Sequence, residues 1–383
     1  MSALTDAIVA ESTPTRAKLG KIADLLERSG IDPDEIGRVD KIKAWQGFYK
    51  DADGEAHTVD MTGVVLSPKW ADGPEWPVVQ PARPVKVPPS KARPAVVDGW
   101  ERAVILPDIQ VGYFRAAGDE LTPTHDESAL AIALAIVRQV RPSVVVLVGD
   151  NADFPEFGKY RLSPAYARTT QATIDRLALL CAELRAACGP DARIVWLAGN
   201  HEERLPNYVL DNAVAAFGLR RGGVPESWPV LSMPHLCGFD DHGIEYRPGY
   251  PAGSYWINER LRVVHGDKVA SGGSTAHKYL ATEKTSVIYG HIHRIEYAER
   301  TREDHDGPRT IMAASPGCLA RTDGAVPSTK GGIDLDGRPL VRHEDWQQGV
   351  SVVEYEPGDG RFTYEQVAIR SGWARYRGKE YRA

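Results

Sequence analysis

Ser143–Asp153 reads SVVVLVGDNAD: a serine and five apolar residues, then Gly149, Asp150, Asn151, Ala152 and Asp153. A short apolar run that stops at a turn signal reads as a strand buried on both faces. In sheets built of such strands, ligands collect just beyond the carboxyl ends. The same grammar recurs on either side. Ala103–Leu106 runs into Pro107, Asp108, Ile109 and Gln110, and Arg193–Leu197 runs into Gly199, Asn200, His201 and Glu202. Leu261–Val264 ends in His265, Gly266 and Asp267, and Ser286–Tyr289 ends in Gly290, His291, Ile292 and His293. Helical stretches separate the runs, and that alternation predicts an α/β domain with buried sheets.

Every one of these strand ends delivers carboxylate, amide or imidazole, the donors that suit divalent metal ions. The glycines let the backbone turn sharply and approach an ion or a phosphate. The five blocks, in this order, resemble the calcineurin-like metallophosphoesterase family, whose pattern is D-x-H, G-D-x-x-D, G-N-H-E/D, a lone histidine and G-H-x-H. The resemblance runs from about Glu101 to Ile369. Gly199–Leu205 and the later Ser315, Pro316 and Gly317 are similar to phage-encoded and bacterial members.

The resemblance implies a four-layer αββα sandwich with two divalent metal ions. Asp108, Gln110, Asp150 and His293 would hold one, and Asp150, Asn200, His265 and His291 the other, with Asp150 bridging. A hydroxide shared by the metals would be the nucleophile. His201 would be the proton donor to the leaving oxygen, oriented by Asp153. The implied activity is phosphoester hydrolysis, foremost of phosphodiesters in DNA, RNA or nucleotides. The alternatives are a phosphomonoesterase on small molecules or phosphoproteins, and a non-catalytic binding subunit of the same fold. Gln110 stands where the family has histidine. A carbonyl is the weaker and harder donor, which favours Mn²⁺ over Zn²⁺, Fe²⁺ or Ni²⁺.

The chain has 383 residues, 42% hydrophobic and 26% charged, which suggests two or three domains. Its longest apolar run, Ala129–Val137, is nine residues, against the ~20 of a membrane span. The first residues lack a basic start and an apolar stretch, so a cytoplasmic setting is expected, in the host if the chain is phage-encoded. A net charge of −6 argues against a globally basic nucleic-acid coat but allows a local groove. Four cysteines are too few for a disulfide framework. Cys181 and Cys188, seven apart on a helix face, would lie about 10.5 Å from each other, too far to bridge. No signal of oligomeric state is present.

Four segments are expected: a small αββ unit over 1–75, a proline-rich linker over 76–100, the α/β domain over 101–370 and a basic aromatic tail over 371–383. In the first, Leu19, Ile22, Ala23 and Leu26 make a helix stopped by Gly30, and two strands, Lys43–Lys50 and His57–Leu66, flank a turn. Seven prolines between Pro74 and Pro94 mark the linker. The tail carries Trp373, Tyr376 and Tyr381 among basic residues, suiting solvent or a single strand. Thr124 and Glu127 read as a capping box, which leaves His125 beside the site or at the surface. Ser271–Thr275 is either a phosphate-binding helix start or a plain loop. Arg204 is expected to pair with Glu202 or Glu203 on a helix surface rather than to meet a phosphate. His235, His242, His277, His305 and His343 lack ligand spacing.

Overall fold

The computed structural model describes residues 22, 24–30, 36–68, 98–115, 120–158, 163–224, 228–305, 307–327, 333–334, 339–340 and 344–383. The chain divides into two compact units, Met1–Arg83 and Pro84–Ala383. Most of the proline-rich stretch, with Leu19, Ala23 and His343, lies outside the described residues.

In the first unit residues 24–29 are helical, and Gly30 leaves the helix with a φ of +66°. Strands β1 (Ile36–Lys50) and β2 (Ala56–Pro68) pair antiparallel and extend beyond the expected limits. The Asp51 carboxylate fixes the turn between them by accepting from the amides of Asp53 (3.0 Å) and Glu55 (2.9 Å).

The second unit is mixed α/β with two principal sheets. The larger joins β3 (Glu101–Leu106), β6 (Val144–Leu147), β7 (Arg193–Leu197) and β8 (Ile244–Arg247) in parallel. It continues antiparallel from β3 through β14 (Gln348–Tyr355), β15 (Phe362–Arg370), β16 (Trp373–Tyr376) and β17 (Lys379–Arg382). The smaller sheet has the order β12 (Ile295–Asp304), β13 (Gly307–Pro316), β11 (Ser286–Tyr289), β10 (Leu261–Val264), β9 (Ser254–Asn258). A short ribbon of β4 (Tyr113–Arg115) and β5 (Leu121–Pro123) stands apart.

Alternation along the strands sets the packing. Val145 and Leu147 of β6 point to one side, where they meet Leu130, Ile136, Leu177 and Leu184 of helices α1 (Glu127–Val140) and α2 (Thr170–Cys188). Val144 and Val146 point to the other, where Ile105 and Val195 meet Ile257, Val263 and Ile288 of the smaller sheet. A third core lies under helix α4 (Thr275–Thr282), with Tyr279 and Leu280 packed on Val287, Tyr289 and Ala313. Between α2 and α4 lies α3 (Arg204–Asn212). The four cysteines are free and buried. Among the described residues no helix is long and apolar enough to cross a membrane.

Two local expectations fail. Helix α1 is capped by Asp126, which accepts from the amides of Ser128 (2.9 Å) and Ala129 (3.0 Å), whereas the Thr124 hydroxyl takes no part. A carboxylate two residues closer to the helix takes the threonine's place, and Glu127 turns to Arg176 and to a buried His125. Nor is 371–383 a tail. Ala374, Tyr376 and Tyr381 are buried in the core beside α1, and β16–β17 extend the larger sheet. Alternation explains it: every second residue faces inward, so Ala374, Tyr376 and Tyr381 fill a core while Trp373 and the basic residues face out.

Candidate metal centre

Both sheets aim their parallel strands at one place. Asp108 and Gln110 follow β3, Asp150 and Asp153 follow β6, and Asn200 and His201 follow β7. From the smaller sheet, His265 follows β10, and His291 and His293 follow β11. Five of these residues, Asp108, Gln110, Asp150, His291 and His293, have φ between 38° and 69°. Side chains rarely adopt that region, and such conformations gather at functional sites. Two glycines allow the loops to close in. A Cβ on Gly199 would overlap Asp150 Oδ1, and one on Gly290 would overlap Asp108 Oδ2.

The side chains form two groups that share Asp150. In each, Asp150 with His265 and His291, or Asp150 with Asp108 and His293, the ligand atoms lie within 4.8 Å of one another. Asp150 Oδ2 is 3.3 Å from His265 Nε2, which is 3.2 Å from Asn200 Oδ1. Asp108 Oδ1 is 3.2 Å from His293 Nε2. Gln110 is buried with its amide nitrogen 3.5 Å from His293 Nε2 and its Oε1 without a partner. Interchanging amide oxygen and nitrogen turns the carbonyl toward the cluster. All the predicted ligands are thus brought together.

The surroundings hold these donors in place. The Val148 carbonyl engages His265 Nδ1 at 3.0 Å and so points Nε2 inward. The His291 amide donates to both Asp108 oxygens, at 3.0 and 3.1 Å. Trp346 packs edge-on to His293, with ring centres 4.1 Å apart, and Tyr250 flanks His265 at 5.5 Å. Electrostatically the cluster calls for cations. Burial works against charge on His265, yet Asp150 and Asp108 push it up to about 9. Burial alone would raise Asp150, but His201 and His265 bring it well below the usual carboxylate range. Burial and the neighbouring His265 lower His291. The carboxylate field that raises His265 also draws a divalent ion, so donor set and field both fit metal.

His201 stands apart from the ligands. Its Nδ1 faces the Asp153 carbonyl at 2.9 Å and Asp153 Oδ1 at 3.1 Å, and its Nε2 lies 3.6 Å from Asp150 Oδ2. Burial and the Arg204 charge oppose protonation, Asp150 and Asp153 outweigh them, and its pKa is raised.

Two residues differ from expectation. Arg204 does not pair with Glu202 or Glu203. Its guanidinium reaches the Asp153 carbonyl at 2.6 Å and His201 Nε2 at 2.9 Å. The reason is Glu202, which turns inward and is wholly buried. Its carboxylate accepts from the amides of Asp150 (2.8 Å), Asn151 (2.9 Å) and Gly199 (2.8 Å) and from Trp196 Nε1 (3.2 Å), pinning two ligand loops together. Its place in the Gly199–Glu202 block was the only signal of that role.

Ser271–Thr275 offers no open phosphate site, because the Glu296 carboxylate occupies the start of α4 and accepts from the Ala276 amide at 2.9 Å. A further acid–histidine group, Asp51, Glu55 and His57, sits in the β1–β2 turn, where bonds to turn amides account for Asp51. No protein-family model matches the chain, and no curated protein matches it significantly.

Proposed function

We propose that this chain is a dinuclear-metal phosphoesterase of the calcineurin-like kind, folded as an αββα sandwich. The observation that carries the reading is the Asp150 carboxylate, within ligand distance of two separate donor groups. The layering of helices, sheet, sheet and helix agrees with it. Asp108, Gln110, Asp150 and His293 would hold one ion, and Asp150, Asn200, His265 and His291 the second. Bound there, two divalent ions neutralise phosphoryl charge and make water a competent nucleophile at neutral pH. Mn²⁺ suits the carbonyl and carboxylate donors best.

The chain's own part is positioning and proton delivery. As water's oxygen bonds to phosphorus and the bond to the leaving oxygen breaks, His201 gives that oxygen a proton. Asp153 keeps the imidazole oriented by holding Nδ1. The class of ester is less constrained, because the basic closing segment no longer argues for nucleic acid. Arg377 pairs with Glu354 and Glu365, and Arg382 with Glu380.

The test is turnover of bis-p-nitrophenyl phosphate and of p-nitrophenyl phosphate by chelated protein and after Mn²⁺ is restored. Hydrolysis of either that depends on Mn²⁺ supports the reading, and the faster ester names the class. Two bound metals with no turnover of either would make the chain a binding subunit.

A further inference from the structure

We propose that Arg204 is a transferable clamp: it rests on His201 in the free protein and moves to the phosphoryl oxygens of a bound phosphoester, uncovering the imidazole as it leaves. The inference rests on the phosphoesterase reading above.

A guanidinium has donors only. With Arg204 Nη2 at 2.9 Å, His201 Nε2 must present its lone pair, and the ring hydrogen sits on Nδ1, facing Asp153. Yet Nε2 is the nitrogen turned toward Asp150 and the metal cluster, at 3.6 Å. It is the one from which a departing oxygen must take its hydrogen. A nitrogen whose lone pair is engaged by arginine carries no hydrogen to give. The arrangement seen is therefore a resting one, and the guanidinium has to move before His201 can act.

What holds Arg204 there is weak for a charged group. Its two close partners, an imidazole nitrogen and the Asp153 carbonyl, are neutral, and the nearest carboxylate oxygen, Asp153 Oδ1, is 3.5 Å away. Glu202, its neighbour in sequence, is spent on backbone amides. The side chain is 16% exposed, so solvent does little to satisfy it. The present bonds set the guanidinium charge against neutral dipoles, whereas an anionic oxygen adds the attraction of opposite charges and allows a bidentate pair. An incoming phosphoester anion outcompetes both present partners, and the planar fork of arginine fits two of its oxygens.

The experiment uses the full chain loaded with Mn²⁺, as wild type, Arg204→Gln and Arg204→Lys. Metal content is measured by elemental analysis and inorganic phosphate binding by calorimetry. Both variants are expected to keep their metals. Phosphate should bind roughly 10–100-fold more weakly to Arg204→Gln, the range for a hydrogen bond to a charged group, with partial recovery in Arg204→Lys. Unchanged phosphate affinity in either variant, with metal intact, overturns the clamp and leaves Arg204 a fixed brace. In Zn²⁺-loaded wild type, phosphate should also shift the ¹⁵N signals of the Arg204 guanidinium, and no shift at saturation overturns the transfer. Phosphate binding that depends on Arg204 in a protein that hydrolyses neither nitrophenyl ester supports the clamp while refuting hydrolysis.

Discussion

Replacing Glu202 by glutamine keeps the shape of the side chain and changes only what its two terminal atoms do. One carboxylate oxygen accepts from the amides of Asp150 and Gly199, and the other from the Asn151 amide and the Trp196 indole. Whichever oxygen becomes NH₂ then faces two N–H donors, so two hydrogen bonds are lost at a buried side chain. At about 1–3 kcal/mol for each buried donor left unmade, Glu202→Gln should cost about 2–6 kcal/mol. That is a large share of the ~5–15 kcal/mol that holds a typical domain. Urea unfolding followed by circular dichroism at pH 8, in chelated protein, measures it. Because either oxygen holds at least one amide of a ligand loop, Mn²⁺ affinity should also fall about 10–100-fold, as when partners behind metal ligands are removed. A loss under about 1 kcal/mol together with unchanged Mn²⁺ affinity would refute the account of Glu202 as the pin between loops.

Asp150→Asn should remove most bound metal and nearly all turnover, since one carboxylate serves both groups; wild-type metal content would end the bridging assignment. Gln110→His should tighten the first site and favour softer ions such as Zn²⁺, which competitive metal titration reads directly. His201→Gln should retain both metals and lose on the order of 10²–10⁴ in rate on alkyl leaving groups, with a far smaller loss on nitrophenyl esters; equal losses would point to phosphoryl stabilisation instead. The raised pKa of His265 gives chelated protein stability that is full below pH ~6.5 and declines as pH approaches 9, by up to about 3 kcal/mol. Added Mn²⁺ competes with those protons, so the Tm difference between loaded and chelated protein should widen over that range, and a constant difference would count against His265 as a ligand.

The strands that carry the centre were legible because each is buried on both faces. Ala103–Leu106, Arg193–Leu197, Leu261–Val264 and Ser286–Tyr289 all lie within strands of the structure, and Ser143–Val148 brackets Val144–Leu147. A continuous apolar run with an acid or histidine behind it leaves little room for another reading. Strand β12 was not legible: six of the ten residues of IEYAERTRED are charged, and only its place at a sheet edge permits that. The closing hairpin was missed for a related reason, since its charges dominate the composition while its alternation is only four residues long on each side. Within the centre, residue types announced the ligands, but not the direction of long side chains. Glu202 and Arg204 are two apart, and only the buried amides above Gly199 determine that one turns inward and the other reaches across to His201.

Strand β3, which delivers Asp108 and Gln110, has β14 as its other neighbour, and Arg102 bonds Glu354 across that border from 252 residues away. Ribosomes add roughly 5–20 residues per second, so the strand waits some tens of seconds for its companion to be made. Until then one flank of β3 is an open edge, which invites pairing with other chains. Asp108 and Gln110 are therefore anchored on one side only until β14 is made, whereas the strands that carry His265 and His291 have all their sheet neighbours by Pro316.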